Sequence, residues 1–318
     1  MIETRGTWAY EIGGVNLEIM DYADQGDREY TPGIFNVLKG DTGSNLGQKN
    51  FVGKTGFSSL TATEEGGSYA DVERDSTYLT QMSYTKYTGA VEMTDELIAD
   101  NNYQSQLNAM KDLSKAANYD QDKSGLQIFN GGFATTVKVN GFDMSWYGDD
   151  VPLFSTVHPT LSAFGSTQSN ASATGIKFGH DNLFTAKIAL MKQETDNGKA
   201  TMASGKIMIV APIELDKTIQ EELESTLDPE TANNAINIWR GSMDVAESLH
   251  LTSATAWFLL RQGDHELYHD VREGTTLEQD RTVKSGITTY TVASRWTESA
   301  RGWQNSWGSA GDLASYSS

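Results

Sequence analysis

The chain has no cysteine. A disulfide framework and a thiolate metal site are both impossible, which removes the stapled secreted scaffolds and the cysteine-ligated zinc folds. That absence fits assembly in a reducing cytoplasm. Long apolar runs are missing too. The most apolar stretch, Ala254 to Leu260, falls far short of the ~20 residues of a membrane-spanning helix. The opening MIETRGTWAYEIGG lacks the basic start and apolar stretch of a secretory signal, so a soluble chain that begins life in the cytoplasm is expected. Positive charge is scarce as well: 24 Lys and Arg face 43 Asp and Glu, a formal net charge of −19. The cations are scattered among acids. Such a surface repels phosphate backbones and argues against coating of nucleic acid by counterion release, while it keeps a concentrated protein in solution. With only 5 prolines, 38% hydrophobic and 21% charged residues, the composition is that of a globular protein.

What is present changes character along the chain. Its 318 residues suffice for one large or two modest domains. Up to about residue 50, glycines (Gly13-Gly14, Gly33, Gly40, Gly43, Gly47) separate short apolar patches such as Ile34-Phe35 and Val37-Leu38, the pattern of an extended arm. From Phe51 to Val91 two β segments flank a polar tip at Glu64-Glu65-Gly66-Gly67. Tyr78, Thr80, Met82 and Tyr84 alternate with Leu79, Gln81 and Ser83. A long hairpin is expected there, and its shortage of large aliphatic residues means it must rest on a partner surface.

Thr94 followed by Asp95 and Glu96 reads as a helix start, a hydroxyl cap with acids at the positive end of the dipole. Leu97, Leu107, Met110, Leu113 and Ala117 lie near helical spacing, and Gly131-Gly132 is a stop. The span leaves room for a break between Asn118 and Gly125. Further on, a helix is expected from Asp181 to the Asp196-Asn197-Gly198 turn with Leu183, Phe184, Ile188 and Met191 inward. A strand at KIMIVA (Lys206 to Ala211) follows, then a helix opened by Pro212 with Leu215, Ile219 and Leu223 inward. That is a small α/β unit. From Ile236 to Trp307 the expectation returns to strands at INIW, TAWFLL, HELYHDV and TTYTVASRW.

Several motifs resemble chemistry and fail on their own terms. His265-Glu266-Leu267-Tyr268-His269 fits the zinc-peptidase pattern, which needs both imidazoles on one helical face, a Glu base and a third ligand. Gly263 and Gly274 leave little room for the helix, and His269 and Val271 alternate with Leu267 as in a strand. No later His exists, so the third ligand would have to be an acid such as Glu273 or Glu278. Gly53-Lys54-Thr55 resembles a phosphate loop, but Gln48 stands where its first glycine is required. Asp120, Asp122, Ser124 and Gly125 resemble a calcium loop whose twelfth position is Gly131 instead of Glu. Gly67-Ser68-Tyr69-Ala70 lacks the second glycine of a nucleophile elbow. His158, His180 and His250 stand alone in sequence and read as packed or loop residues, and the 7 Trp and 13 Tyr as core and interface anchors. No catalytic, cofactor-binding or metal-binding residues are expected, and no cofactor.

Three passages carry a family resemblance. EEGGSY (Glu64 to Tyr69) with MTDELIADN (Met93 to Asn101), LFSTVHPT (Leu153 to Thr160) with SNAS (Ser169 to Ser172), and AWFLLRQGDHELYHDVREG (Ala256 to Gly274) with SRWTESARGWQNSW resemble the major capsid proteins of tailed bacteriophages. These have the Hong Kong 97-like fold, and the Mu-type major head subunits are the nearest in pattern. The resemblance implies an α+β fold with an N-terminal arm (1–50), an extended hairpin loop (51–92), a peripheral domain with a long spine helix (93–160 and 255–318) and an axial α/β domain (161–254). It implies a structural protein, not an enzyme, that forms hexamers and pentamers of an icosahedral head enclosing DNA. The implied partners are other copies, a separate scaffolding protein, a portal and decoration proteins, with packaged DNA touched only weakly and no membrane. The implied location is the virion capsid, assembled in the host bacterial cytoplasm. Lys54 and Lys86 lie near the hairpin, but no partner Asn or catalytic acid is identifiable, so no covalent cross-link is expected. Three rival functions differ testably: an encapsulin-like cargo shell, a zinc peptidase using His265, Glu266 and His269, and a monomeric binding protein that never self-assembles.

Overall fold

A computed structural model describes residues 31–39, 48–54, 60–69, 71, 76–96, 103–139, 142–144, 149–160, 167–195, 198, 201, 204–227 and 236–311. In chain order these form α1 (Thr31–Ile34), β1 (Asn36–Lys39), β2 (Gln48–Lys54), β3 (Ser76–Ser83), β4 (Thr85–Thr94), α2 (Tyr103–Asn130), β5 (Val137–Val139) and β6 (Phe142–Met144). Next come α3 (His180–Met191), β7 (Ile207–Pro212), a 3₁₀ turn (Ile213–Leu215), α4 (Asp216–Glu224), β8 (Asp244–Ser248), β9 (Trp257–Arg261), β10 (Leu267–Thr282), β11 (Ile287–Ala300) and β12 (Ser306–Ser309).

The first sheet has the order β1-β10-β11-β4. Strict alternation in β11 puts Thr288, Tyr290, Val292, Ser294, Trp296 and Glu298 on one buried face. The 28-residue α2 covers that face: Trp296 Nε1–H donates to Ser124 Oγ at 2.9 Å. The helix crosses β4 so closely that a Cβ on Gly89 would stand 2.7 Å from Leu113 Cδ1, so any larger residue there would have to displace the Leu113 side chain. At the far end, the Gly131 N–H closes on the Gln127 carbonyl, and a Cβ on Gly132 would meet Phe154 at 2.5 Å. The stop at Gly131-Gly132 is therefore real. Asp95 and Glu96 are helical directly after β4, whereas Leu97 and the expected continuation through 97–102 lie outside the described residues. The break allowed between Asn118 and Gly125 does not occur. Asn118, Gln121, Asp122 and Ser124 are buried, so their polarity marks contact with the sheet and not a loop.

The second sheet, β12-β9-β7-β8, lies between two cores. Met208 and Val210 of β7 and Phe258 and Leu260 of β9 enter one core with Leu126, Phe129, Phe154 and Trp303. Their neighbours Ile209, Ala211, Trp257 and Leu259 enter the other with Leu183, Ile219, Trp239 and Trp307. A strand covered on both faces reads as a continuous apolar run, which is why IMIVA and WFLL show no alternation. It also explains one departure from the sequence grouping. Trp257–Arg261 and Ser306–Ser309 stand among the closing strands in sequence, yet β9 pairs with β7 and β12 with β9 in the second sheet. Among the described residues, that sheet has a core on each side to bury them.

Two local expectations are corrected. The buried face of α3 is Leu183, Ala186 and Leu190, not Phe184 and Met191; Phe184 is 49% exposed. The helix stops at Met191, and Gly198 turns further on with φ +68°. INIW is a turn instead of a strand. The Asn237 side chain accepts the Trp239 N–H and donates to the Glu222 carbonyl, which offers the backbone a local alternative to pairing. Of the arm, the described part is anchored and not free. Ile34 and Phe35 enter the first core and β1 runs parallel to β10, while residues 1–30 and 40–47 lie outside the described residues.

Candidate assembly interface

The hairpin is where the fold leaves surface uncovered. β2 and β3 pair antiparallel with Phe51 opposite Thr80 and Asn50 opposite Gln81. Thr80 and Met82 point inward and are buried, while Val52 and Leu79 point outward and are exposed, as the alternation predicts. At the tip the Gly67 N–H closes a turn on the Glu64 carbonyl, with Gly66 at φ +84°, a conformation that favours glycine. Leu60 and Tyr69 beside it are 87% and 97% exposed. Large apolar side chains exposed on a polar tip suit a surface that another molecule covers.

The outer end of the first sheet forms a second projection. Beyond Val271, β10 is paired on one side only among the described residues, and Val283 at its turn is 83% exposed. Asp95 braces this turn: its N–H donates to the Gly286 carbonyl and its carboxylate accepts from Arg281 Nη2 at 2.6 Å and Nε at 3.3 Å. The hydrogen bond from Arg281 holds the Asp95 carboxyl below its ordinary value. A third exposed set, Phe184, Met191, Ile236, Ile238 and Leu249, lies on the helical side of the second sheet and its connecting turns.

None of the motifs that resembled chemistry is assembled for it. His265 sits in the turn before β10 and His269 within the strand, so the helical geometry of a zinc peptidase is absent. Burial pushes the His265 imidazole down to about 4, and its Nδ1 accepts the Leu267 N–H. His269 Nδ1 lies 3.1 Å from Glu298 Oε1, which also accepts from Ser124 Oγ at 2.6 Å. Serine and histidine thus share one carboxylate oxygen, an order that cannot activate a serine, and all three are buried. His158 Nδ1 is 2.7 Å from Asp149 and its Nε2 3.1 Å from Asn170 Oδ1, with the ring stacked 4.5 Å from Trp303. His180 contacts Glu222, and His250 packs edge-on against Tyr119. Lys54 lies in β2, and Asp120, Asp122 and Ser124 lie on α2, so neither a phosphate loop nor a calcium loop exists at those positions. Glu273 is paired with Arg295. Among the described residues no three His, Asp or Glu side chains converge as a metal site.

Residues 80–302 match the model of a family described as phage capsid protein. The chain belongs to the phage capsid protein family. No curated protein matches it by sequence. Solved capsids share its fold at very low identity. A chain of Mycobacterium phage Patience superposes with a TM-score of 0.55 at 10% identity, covering 99% of this chain and 90% of that one. The capsid of a native GTA particle gives 0.53 at 10% identity, with 86% and 87% covered. The capsid of Myoviridae phage XM1 gives 0.50 at 8% identity, with 86% and 88% covered. The capsid protein is thus an α+β subunit of the Hong Kong 97-like fold, a structural component of a phage head and not an enzyme. The sequence foresaw the hairpin from its alternating β segments and the polar turn between them. It did not foresee the outer turn braced by Asp95, because Asp95 and Arg281 lie far apart in the chain and meet only through β4 and β10.

Proposed function

We propose that the capsid protein forms pentamers and hexamers that close into an icosahedral head around DNA, with the hairpin and the arm overlapping adjacent subunits. The hairpin carries this reading: it exposes Leu60 and Tyr69 on a polar lever that no described residue of its own subunit covers. Functionally, the first sheet with α2 serves as the peripheral domain, and the second sheet with α3 and α4 as the axial domain. β9 and β12 are counted with the axial sheet. The net charge of −19 gives contacts that respond to salt and an inner wall that does not hold packaged DNA. Assembly takes place in the host cytoplasm with a separate scaffolding protein, and portal and decoration proteins join the shell.

The test is expression of the chain alone and with a co-expressed scaffold, followed by light scattering on a sizing column and negative-stain microscopy of every peak. Rings of five or six, tubes or closed shells are the expected products. A strict monomer in both conditions overturns the reading.

A further inference from the structure

We propose that Asp270 positions the hairpin: one buried carboxylate gathers both strands of the hairpin root and fixes the direction in which the lever leaves the subunit. This rests on the reading of the hairpin as an assembly element. Along β10, His269 faces α2, so the next side chain, Asp270, points to the opposite face of the first sheet. There it is fully buried. Lys49 Nζ, from β2, donates to Asp270 Oδ2 at 3.2 Å. Tyr84 Oη, from the residue that joins β3 to β4, donates to the same oxygen at 3.0 Å. Arg301 Nη2, just beyond β11, forms an ion pair with it at 3.9 Å. The Arg301 guanidinium in turn lies 4.0 Å over the Tyr268 ring and 5.0 Å over Phe51 of β2.

Four chain segments therefore converge on this carboxylate. β1 and β11 pair alongside it, with Leu38 and Thr297 opposite, while the start of β2 and the end of β3 are tied to it by side chains. From Leu60 to Tyr69 every residue is exposed. The direction of a lever free at its far end is decided at its root. Burying a carboxylate is costly unless it is paired, and removing one partner leaves the others uncompensated. A root held only by apolar packing would tolerate sliding. An ion pair with a shared acceptor oxygen has one geometry, because Lys49 and Tyr84 must both reach the same atom.

The experiment reads the free subunit, so it does not depend on assembly. Amide hydrogen exchange of β2 and β3 is compared with that of β7 and β9 in Lys49→Gln, Tyr84→Phe and Asp270→Asn chains. The two milder variants keep the test valid if Asp270→Asn fails to fold. The expected result is exchange roughly tenfold faster or more in β2 and β3, unchanged in β7 and β9, and restored by Lys49→Arg, which keeps the donor. Unchanged exchange in Lys49→Gln and Tyr84→Phe, or acceleration shared equally by β7 and β9, overturns the proposal. Normal particles from a hairpin-trimmed chain would instead remove the assembly reading, an outcome distinct from either.

Discussion

The second sheet and the hairpin are built from opposite solutions to the same problem. β7 and β9 bury both faces, sending alternate side chains into two cores, so their apolar surface is fully covered within one subunit. In the hairpin, Thr80 and Met82 of β3 are buried, while Val52 and Leu79 of the strands and Leu60 and Tyr69 of the tip lie in solvent. The first region supplies free energy that keeps the subunit folded; the second leaves apolar surface exposed among the described residues. A shell needs both, since a fully self-satisfied subunit has nothing to offer a neighbour and a fully unsatisfied one does not fold.

That contrast can be broken from either side. The largest effect is expected in β9. Phe258→Ala removes a ring that packs on Phe129, Phe154 and Phe133, and should cost about 3–5 kcal/mol, measured as a lower denaturation midpoint of the free subunit. Acidification comes next. An ordinary histidine titrates near 6.5, and burial holds His265 at about 4. Between those values the folded chain binds fewer protons than the unfolded one. The contribution is therefore complete above pH ~6.5 and is lost as pH falls towards 4, by on the order of 3 kcal/mol. Because the His265 carbonyl accepts from Asn36, this loss should loosen β1. Urea titrations of native and His265→Gln chains at pH 7 and pH 4.5 check it: the variant should lose less stability on acidification.

A smaller loss is expected for Ser124→Ala, which leaves the Trp296 indole N–H and the Glu298 carboxylate each short of a partner under α2. About 1–3 kcal/mol is the expected cost, read from the same titration. The smallest effect on folding belongs to the hairpin. Leu60→Ser with Tyr69→Ser should change subunit stability by less than ~0.5 kcal/mol while sharply reducing the yield of closed particles counted by electron microscopy. A stability loss as large as that of Phe258→Ala would mean the tip is already covered within the subunit and would erase the contrast.

The sequence was most legible where local rules act alone. The alternation of Tyr78 to Tyr84, the Gly131-Gly132 stop and the apolar run at IMIVA each depend on a few neighbouring residues, and each appears in the structure. It misled where spacing or composition did not reveal what a side chain would pack on or bind. Phe184 reads as a core residue by spacing but lies on the open side of α3, because the sheet beneath is reached by Leu183, Ala186 and Leu190. INIW reads as a strand by composition, but Asn237 captures its own backbone.

By itself the sequence determined that no disulfide or thiolate metal site exists, that no membrane-length apolar run is present, and that one segment is too polar to fold without support. These follow from which atoms the chain contains and from periodicities of two and of nearly four residues. Only the tertiary structure decided which sheet receives β9, that His265 and His269 belong to a turn and a strand instead of a metal site, and that Lys49 and Tyr84 meet at Asp270. Each of those depends on residues distant in sequence being brought within a few ångströms, and hydrogen bonds and buried ion pairs exist only at that range.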